Sequence, residues 1–294
     1  IASLVGSEMC IRDRHGIHPD MVAGHSLGEY AALMVSGILR FEDALRAAAA
    51  RGTEMGSVEV PDKGIMASIT APYDVIESVL DSVDGYVIAA NKNSPNMTVI
   101  AGETEPMREA MQKFEEGGAT VIQLQTSHAF HSRIVAPANE PLRRFLEGLE
   151  ISLPSIPITA NVDGSFYPDS VSDTEEVKDV ILEKLAPQMS SAVEWTSQVE
   201  SMRDAGARIY LEVGPKRALA LFAGQILDED ECIVNITNHP KAGGITSFFG
   251  ALGMLAVAGK CPEIHLLSSE IHTAEFSAGP VESSEQVDLV RHSS

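Results

Sequence analysis

The sequence predicts an α/β protein: a largely parallel sheet covered on both faces, carrying a compact insert of ferredoxin-like order. Three observations predict it. Apolar strand-like runs alternate with segments of helical periodicity along the main body. Between Lys63 and Thr126 the order changes to β-α-β-β-α-β. Near the start, Gly24-His25-Ser26-Leu27-Gly28 lies where a short apolar run passes into a helix.

Met21-Val22-Ala23 reads as a buried strand fragment after the Pro19-Asp20 break, and Leu27, Tyr30, Ala31, Met34 and Ile38 then recur at helical spacing. Gly37 interrupts the end of that helix. A second helix starts near Phe41, with Leu45, Ala48, Ala49 and Met55 expected on one face and Arg51 one turn from Met55. In the insert, Gly64 to Ile69, Tyr86 to Asn91, Met97 to Ala101 and Ala119 to Leu124 are strand-like, and Tyr73 to Val83 and Glu105 to Glu116 are helical. The main body resumes with a helix from Pro137 to Leu149, a strand-like run from Ile156 to Ala160 and a turn at Asp163-Gly164. Trp195 to Ala205 reads as a helix and Arg208 to Val213 as a strand, and Gly214-Pro215 stops the chain before a helix through Leu221 and Ile226. Catalytic groups are expected at the carboxyl ends of the parallel strands.

The expected division is residues 15–62 and 127–259 for the large unit and 63–126 for the insert. Ile1 to Arg14 lack periodicity and read as translated adapter sequence, non-native to the fold, so a natural N-terminus is expected to be missing. Residues 260–294, rich in Ser, Glu and His, read as a linker or tail.

With 294 residues, 44% of them hydrophobic, the chain can bury a large core. Its net charge of -21 argues against nucleic acid and anionic membranes as partners, so any anion site must be local. Cys10, Cys232 and Cys261 show neither paired nor metal-ligand spacing, which points to free buried thiols in a reducing, cytoplasmic setting and to no metal site. No apolar run is long enough for a membrane span.

The glycines flanking Ser26 permit a sharp strand-to-helix turn that lifts its hydroxyl clear of the backbone, making it a candidate nucleophile. Free N-H groups at the helix start can stabilise an oxyanion, and that of Leu27 is nearest. The hydroxyl needs a base. Of nine histidines, those of His128-Ala129-Phe130-His131-Ser132 follow directly on a strand, and His131 is the candidate. His25 adjoins Ser26, but neighbours on a tight turn point apart, so it belongs to the elbow's architecture and the pocket wall.

Gly24 to Tyr30 (GHSLGEY), Ala50 to Met55 (ARGTEM), Asn91 to Pro95 (NKNSP), His128 to Ser132 (HAFHS) and Glu212 to Pro215 (EVGP) occur in consistent order. Together they resemble the malonyl-CoA:acyl-carrier-protein transacylase family, closest to acyltransferase domains of multidomain polyketide or polyunsaturated-fatty-acid synthases. The resemblance runs from about Met21 to Gly259. It implies an α/β-hydrolase-like large subdomain with a ferredoxin-like small one and the active site between them.

It further implies ping-pong transfer, with Ser26 as nucleophile and His131 as base. A main-chain carbonyl, that of Gln188, orients His131 in place of a carboxylate, so the identity of the Gln188 side chain is expected to matter little. Arg51 would bind the malonyl carboxylate, a bidentate task that suits guanidinium. Leaving it unpaired before an acetyl group costs about 1 to 3 kcal/mol, which gives selectivity. Phe130 would favour malonyl over branched extenders, and Met55, Asn91 and Asn93 would line the pocket with His25. No bound cofactor is implied. The substrates are malonyl-CoA and carrier-protein phosphopantetheine, and the partners are an acyl carrier protein and fused ketosynthase and other synthase domains. An acidic carrier would be repelled by the global charge, so tethering or a local basic patch such as Lys216 and Arg217 is expected to compensate.

One departure stands out: nothing matches the family's N-terminal G-Q-G motif, which supplies a second oxyanion donor. Its loss predicts poor folding or weak transfer, about 3 kcal/mol from one donor alone. A serine hydrolase is the enzymatic alternative, but its histidine usually lies near the C-terminus, whereas His131 is mid-chain. A non-catalytic scaffold fragment is the other.

Overall fold

The computed structural model describes residues 16–171, 176–239 and 241–260. The expectations for residues 1–14 and for the tail beyond 260, with Cys10 and Cys261, lie outside them; Cys232 is buried and free.

In the middle of the chain, β1 (Ile65–Thr70), α3 (Tyr73–Asp81), β2 (Val87–Ser94), β3 (Met97–Gly102), α4 (Thr104–Glu116) and β4 (Thr120–Leu124) follow the expected order within a few residues. The strands form one antiparallel sheet in the order β2-β3-β1-β4. Alternation sorts its faces, since successive side chains point to opposite sides. Ala67, Ile69 and Ile100 pack on Ile76 of α3 and on Met107, Ala110 and Phe114 of α4. Met66, Ala90, Val99 and Ala101 point the other way, onto Ala129 and Ile134, and so dock the sheet on the rest of the protein. A parallel bridge between Asn91 and Val193, with Lys92 N-H donating to Val193 O and Val193 N-H to Ala90 O, ties β2 to the main body.

The main body starts with α1 (Gly28–Val35) and α2 (Phe41–Gly56), which contribute Tyr30, Leu33, Ala47 and Met55 to its core. A 3-10 turn (Arg133–Ala138) leads into α5 (Asn139–Glu147), whose Leu142 and Leu146 fill the same core. Beyond it come α6 (Val177–Leu185), a second 3-10 turn (Ala186–Met189), α7 (Trp195–Asp204), β5 (Ile209–Glu212), α8 (Ala218–Ile226), β6 (Ile233–Ile236) and α9 (Gly244–Val257).

Two expectations are corrected. On α2 the buried face is Asp43, Ala44, Ala47, Arg51 and Met55, while Leu45 and Ala49 are exposed. An alanine-rich helix has little apolar contrast, and the burial of two charged residues turned the face by one position. The parallel sheet is also less extensive than the alternation predicts. Among the described residues, parallel pairing in the main body comprises β5 with β6 and a single Val22–Ile158 bridge, so neither Met21-Val22-Ala23 nor Ile156 to Ala160 forms a full strand. A cavity of about 650 Å³ separates the two pieces, lined by Val22, Ala23, Tyr210, Leu211 and Val234.

Candidate active site

Ser26 sits at φ 52°, in the left-handed region that a side chain enters only when its surroundings hold it there. Gly24 is required for this turn, because a Cβ at that position would collide with the main chain of Gly28. The turn delivers Ser26 to the start of α1. Its Oγ lies 2.7 Å from His131 Nε2 and accepts from Arg51 Nη2 at 3.1 Å.

His131 also has positive φ, 56°, and its N-H donates to Met189 O at 2.8 Å, which fastens it to the second 3-10 turn. Its Nδ1 faces two main-chain carbonyls, Gln188 O and Ser191 O, each at 3.1 Å. Carbonyls only accept, so Nδ1 carries the proton and Nε2 is left as the acceptor for the serine hydroxyl. Burial, then the nearby Arg51 charge and then His25, lower the His131 pKa to about 3 against the pull of the two carbonyls. The ring is a neutral base at physiological pH.

Arg51 is 6% exposed, and burial lowers its pKa. Among the described residues no carboxylate lies within ion-pair distance of it; its partners are Ser26 Oγ, Gln188 Oε1 at 3.2 Å and the Tyr30 ring. A buried guanidinium with donors to spare beside a nucleophile is a receptor for a carboxylate.

The Gln188 side chain overturns the expectation that its identity matters little. It is fully buried, accepts from Arg51 Nε and donates from Nε2 to Ser26 O at 2.7 Å. One residue therefore touches the nucleophile, the base and the guanidinium.

The remaining expected residues fall around this centre. His25 Nε2 meets Asn93 Oδ1 at 2.7 Å and its ring edges Trp195; enclosure lowers its pKa to about 4. Met55, on the buried face of α2, lies in the core, and Asn91 is buried at the Val193 bridge without a hydrogen bond to Ser26, His131 or Arg51 among the described residues. Phe130 is half-buried between the two packed units, tilted against His128, whose Nε2 meets Val58 O. Leu27 is exposed at the helix start, and its N-H has no hydrogen bond among the described residues, whereas Ser26 N-H donates to Asn161 Oδ1 at 2.6 Å. Sequence reasoning missed Ser191 and Asn161, both polar residues in irregular segments without periodicity.

The family profile described as acyl transferase domain matches residues 11–241. The chain is 33% identical over 231 residues to the polyketide biosynthesis protein ThaF of Burkholderia thailandensis, covering 78% of this chain and 19% of that one. It is 33% identical over 210 residues to the malonyl CoA-acyl carrier protein transacylase of Bacillus subtilis, covering 70% and 64%. It therefore spans less than two thirds of either relative. Among solved structures, the acyltransferase domain from the second module of the salinomycin polyketide synthase superposes with a TM-score of 0.77 at 28% identity, covering 94% of this chain and 63% of that one. On sequence and fold together, the chain belongs to the acyl transferase domain family.

Proposed function

We propose that this chain transfers a malonyl group from malonyl-CoA to the phosphopantetheine thiol of an acyl carrier protein, by way of a malonyl ester on Ser26. The observation that carries this reading is Arg51: a buried guanidinium without a carboxylate partner among the described residues, 3.1 Å from the nucleophile's oxygen. An acyl group that ends in a carboxylate satisfies it, and an acetyl group leaves it unpaired. Phe130, next to His131 in the chain and packed against His128, narrows the space next to the acyl α-carbon.

In the first half-reaction His131 Nε2 takes the hydroxyl proton as Ser26 Oγ attacks the thioester carbonyl carbon. The Gln188 and Ser191 carbonyls, already accepting from Nδ1-H, stabilise the imidazolium that forms. The Leu27 N-H at the start of α1, without a hydrogen bond among the described residues, donates to the oxyanion. Collapse breaks the carbon–sulfur bond, and the proton on Nε2 passes to the departing CoA thiolate. The second half-reaction runs the steps in reverse with the carrier thiol, which His131 deprotonates. No cofactor enters the balance.

The Bacillus relative's name supplies the acceptor class, an acyl carrier protein. Exposed Lys216 and Arg217, between β5 and α8, offer an acidic carrier local positive charge on a chain of net charge -21. Similarity to a segment of the much longer ThaF, a polyketide biosynthesis protein, favours fusion to further synthase domains; a ketosynthase among them is what the family resemblance implies. The test is incubation with labelled malonyl-CoA followed by intact-mass analysis. A malonyl adduct that is lost in Ser26→Ala and discharged by holo carrier protein supports the reading; free malonate without carrier loading means hydrolysis, and no adduct means a scaffold.

A further inference from the structure

We infer that Asn161 is a positioning residue for the nucleophile, a side-chain clamp that holds the strained turn at Ser26. The inference rests on the assignment of Ser26 as nucleophile. Asn161 is fully buried, and its amide bridges the two residues on either side of His25: Oδ1 accepts from Ser26 N-H at 2.6 Å and Nδ2 donates to Gly24 O at 2.6 Å. Ser26 has to be kept at φ 52°, which its own side chain disfavours. An asparagine amide supplies a donor and an acceptor from one planar group, so both ends of the turn are held in a fixed relation.

The clamp is itself anchored. Asn161 N-H donates to Glu29 Oε1 at 3.0 Å, and the Tyr167 hydroxyl donates to the same oxygen at 2.9 Å. Glu29 lies in the first turn of α1, three residues after the nucleophile, and its N-H donates to Ser26 O. On its other side, Asn161 O accepts from Glu194 N-H at 2.8 Å, just before α7. The turn, the start of α1 and the segment before α7 thus form one closed hydrogen-bonded unit around Ser26. The clamp also occupies the Ser26 N-H, which leaves the Leu27 N-H as a donor without a partner among the described residues next to the nucleophile.

The test separates aim from substrate binding by using phenylmethylsulfonyl fluoride, a serine-directed reagent without a carboxylate, alongside malonyl-CoA. Asn161→Ala should slow covalent labelling of Ser26 by about 100-fold, the effect of misplacing a reacting atom by roughly 1 Å. The KM for malonyl-CoA should change less than about threefold, since the Arg51 contact is intact. Asn161→Asp keeps the volume and an acceptor for Ser26 N-H but cannot donate to Gly24 O, so it should also slow labelling and covers the case in which the alanine variant does not fold. Glu29→Gln, which keeps the accepting oxygen, should recover most of the rate that Glu29→Ala loses. Labelling at the parent rate in a folded Asn161→Ala or Asn161→Asp variant overturns the inference. Labelling of the parent that persists in Ser26→Ala overturns instead the assignment of the nucleophile.

Discussion

The Gln188 amide donates to the main-chain carbonyl of Ser26 at 2.7 Å, across 162 residues of sequence. The same side chain receives Arg51 Nε, and the same residue's carbonyl receives His131 Nδ1. Gln188→Ala should keep the orienting carbonyl yet lose two side-chain hydrogen bonds in a buried site, lowering acylation by about 10- to 100-fold. Gln188→Glu should place a carboxylate against Arg51 and raise the KM for malonyl-CoA more than it lowers kcat. Steady-state kinetics of the two variants would separate these effects.

Arg51→Ala should collapse discrimination between malonyl and acetyl thioesters by about tenfold to over a hundredfold, mostly through slower malonyl transfer. Arg51→Lys should restore little, because an ammonium cannot reach both carboxylate oxygens in one plane. Competition between differently labelled malonyl- and acetyl-CoA, read by intact mass, measures the ratio directly.

Because the base must be neutral, and burial with the Arg51 charge holds its pKa near 3, activity should persist on the acid side until the fold itself fails. Removing the Arg51 charge should raise the His131 pKa, which the ring's titration by NMR in folded Arg51→Ala would measure directly. A ring pKa unchanged from the parent's in that variant would show that Arg51 does not bear on the base. Folding has a parallel dependence: His25 and His131 both titrate below the ordinary value of 6.5 in the folded protein, so stability should fall as pH drops below 6.5.

Glu29 runs the other way. Burial raises its pKa from 4.5 to about 7, against the opposing effects of the Asn161 N-H, Tyr167, Gln188 and Arg51, and its Oε2 has no partner among the described residues. A raised carboxyl costs stability as pH rises from 4.5 through about 7, because the folded state holds the proton that the unfolded chain has released. Glu29→Gln should leave the urea midpoint nearly unchanged at pH 5 and raise it at pH 8.

The β-α-β-β-α-β region was legible because its strands alternate apolar residues cleanly between helix-facing and body-facing sides, as Met66, Ala67 and Ile69 do. The elbow was legible because steric closure demands Gly24. The helix Val177–Leu185, strand β6 and helix α9 were not foreseen, and Leu45 was placed on the wrong face, since short or uniformly apolar segments carry no contrast. Within the site, Ser26, His131 and Arg51 were readable as residue types suited to a task. Asn161, Ser191 and the side-chain role of Gln188 were not, because what they do depends on which backbone groups the loops bring within 3 Å or so of them, and no local pattern encodes that.

The site's bonds span the chain: Ser26 to His131 is a separation of 105 residues, Arg51 to Gln188 of 137 and Ser26 to Asn161 of 135. Closing loops of that length costs entropy before any contact repays it, and a topology rich in such pairs folds slowly. The nucleophile's reactivity is therefore a property that the chain acquires last. In refolding from denaturant, helical signal and the antiparallel sheet should recover ahead of serine labelling, so labelling times completion of the native state.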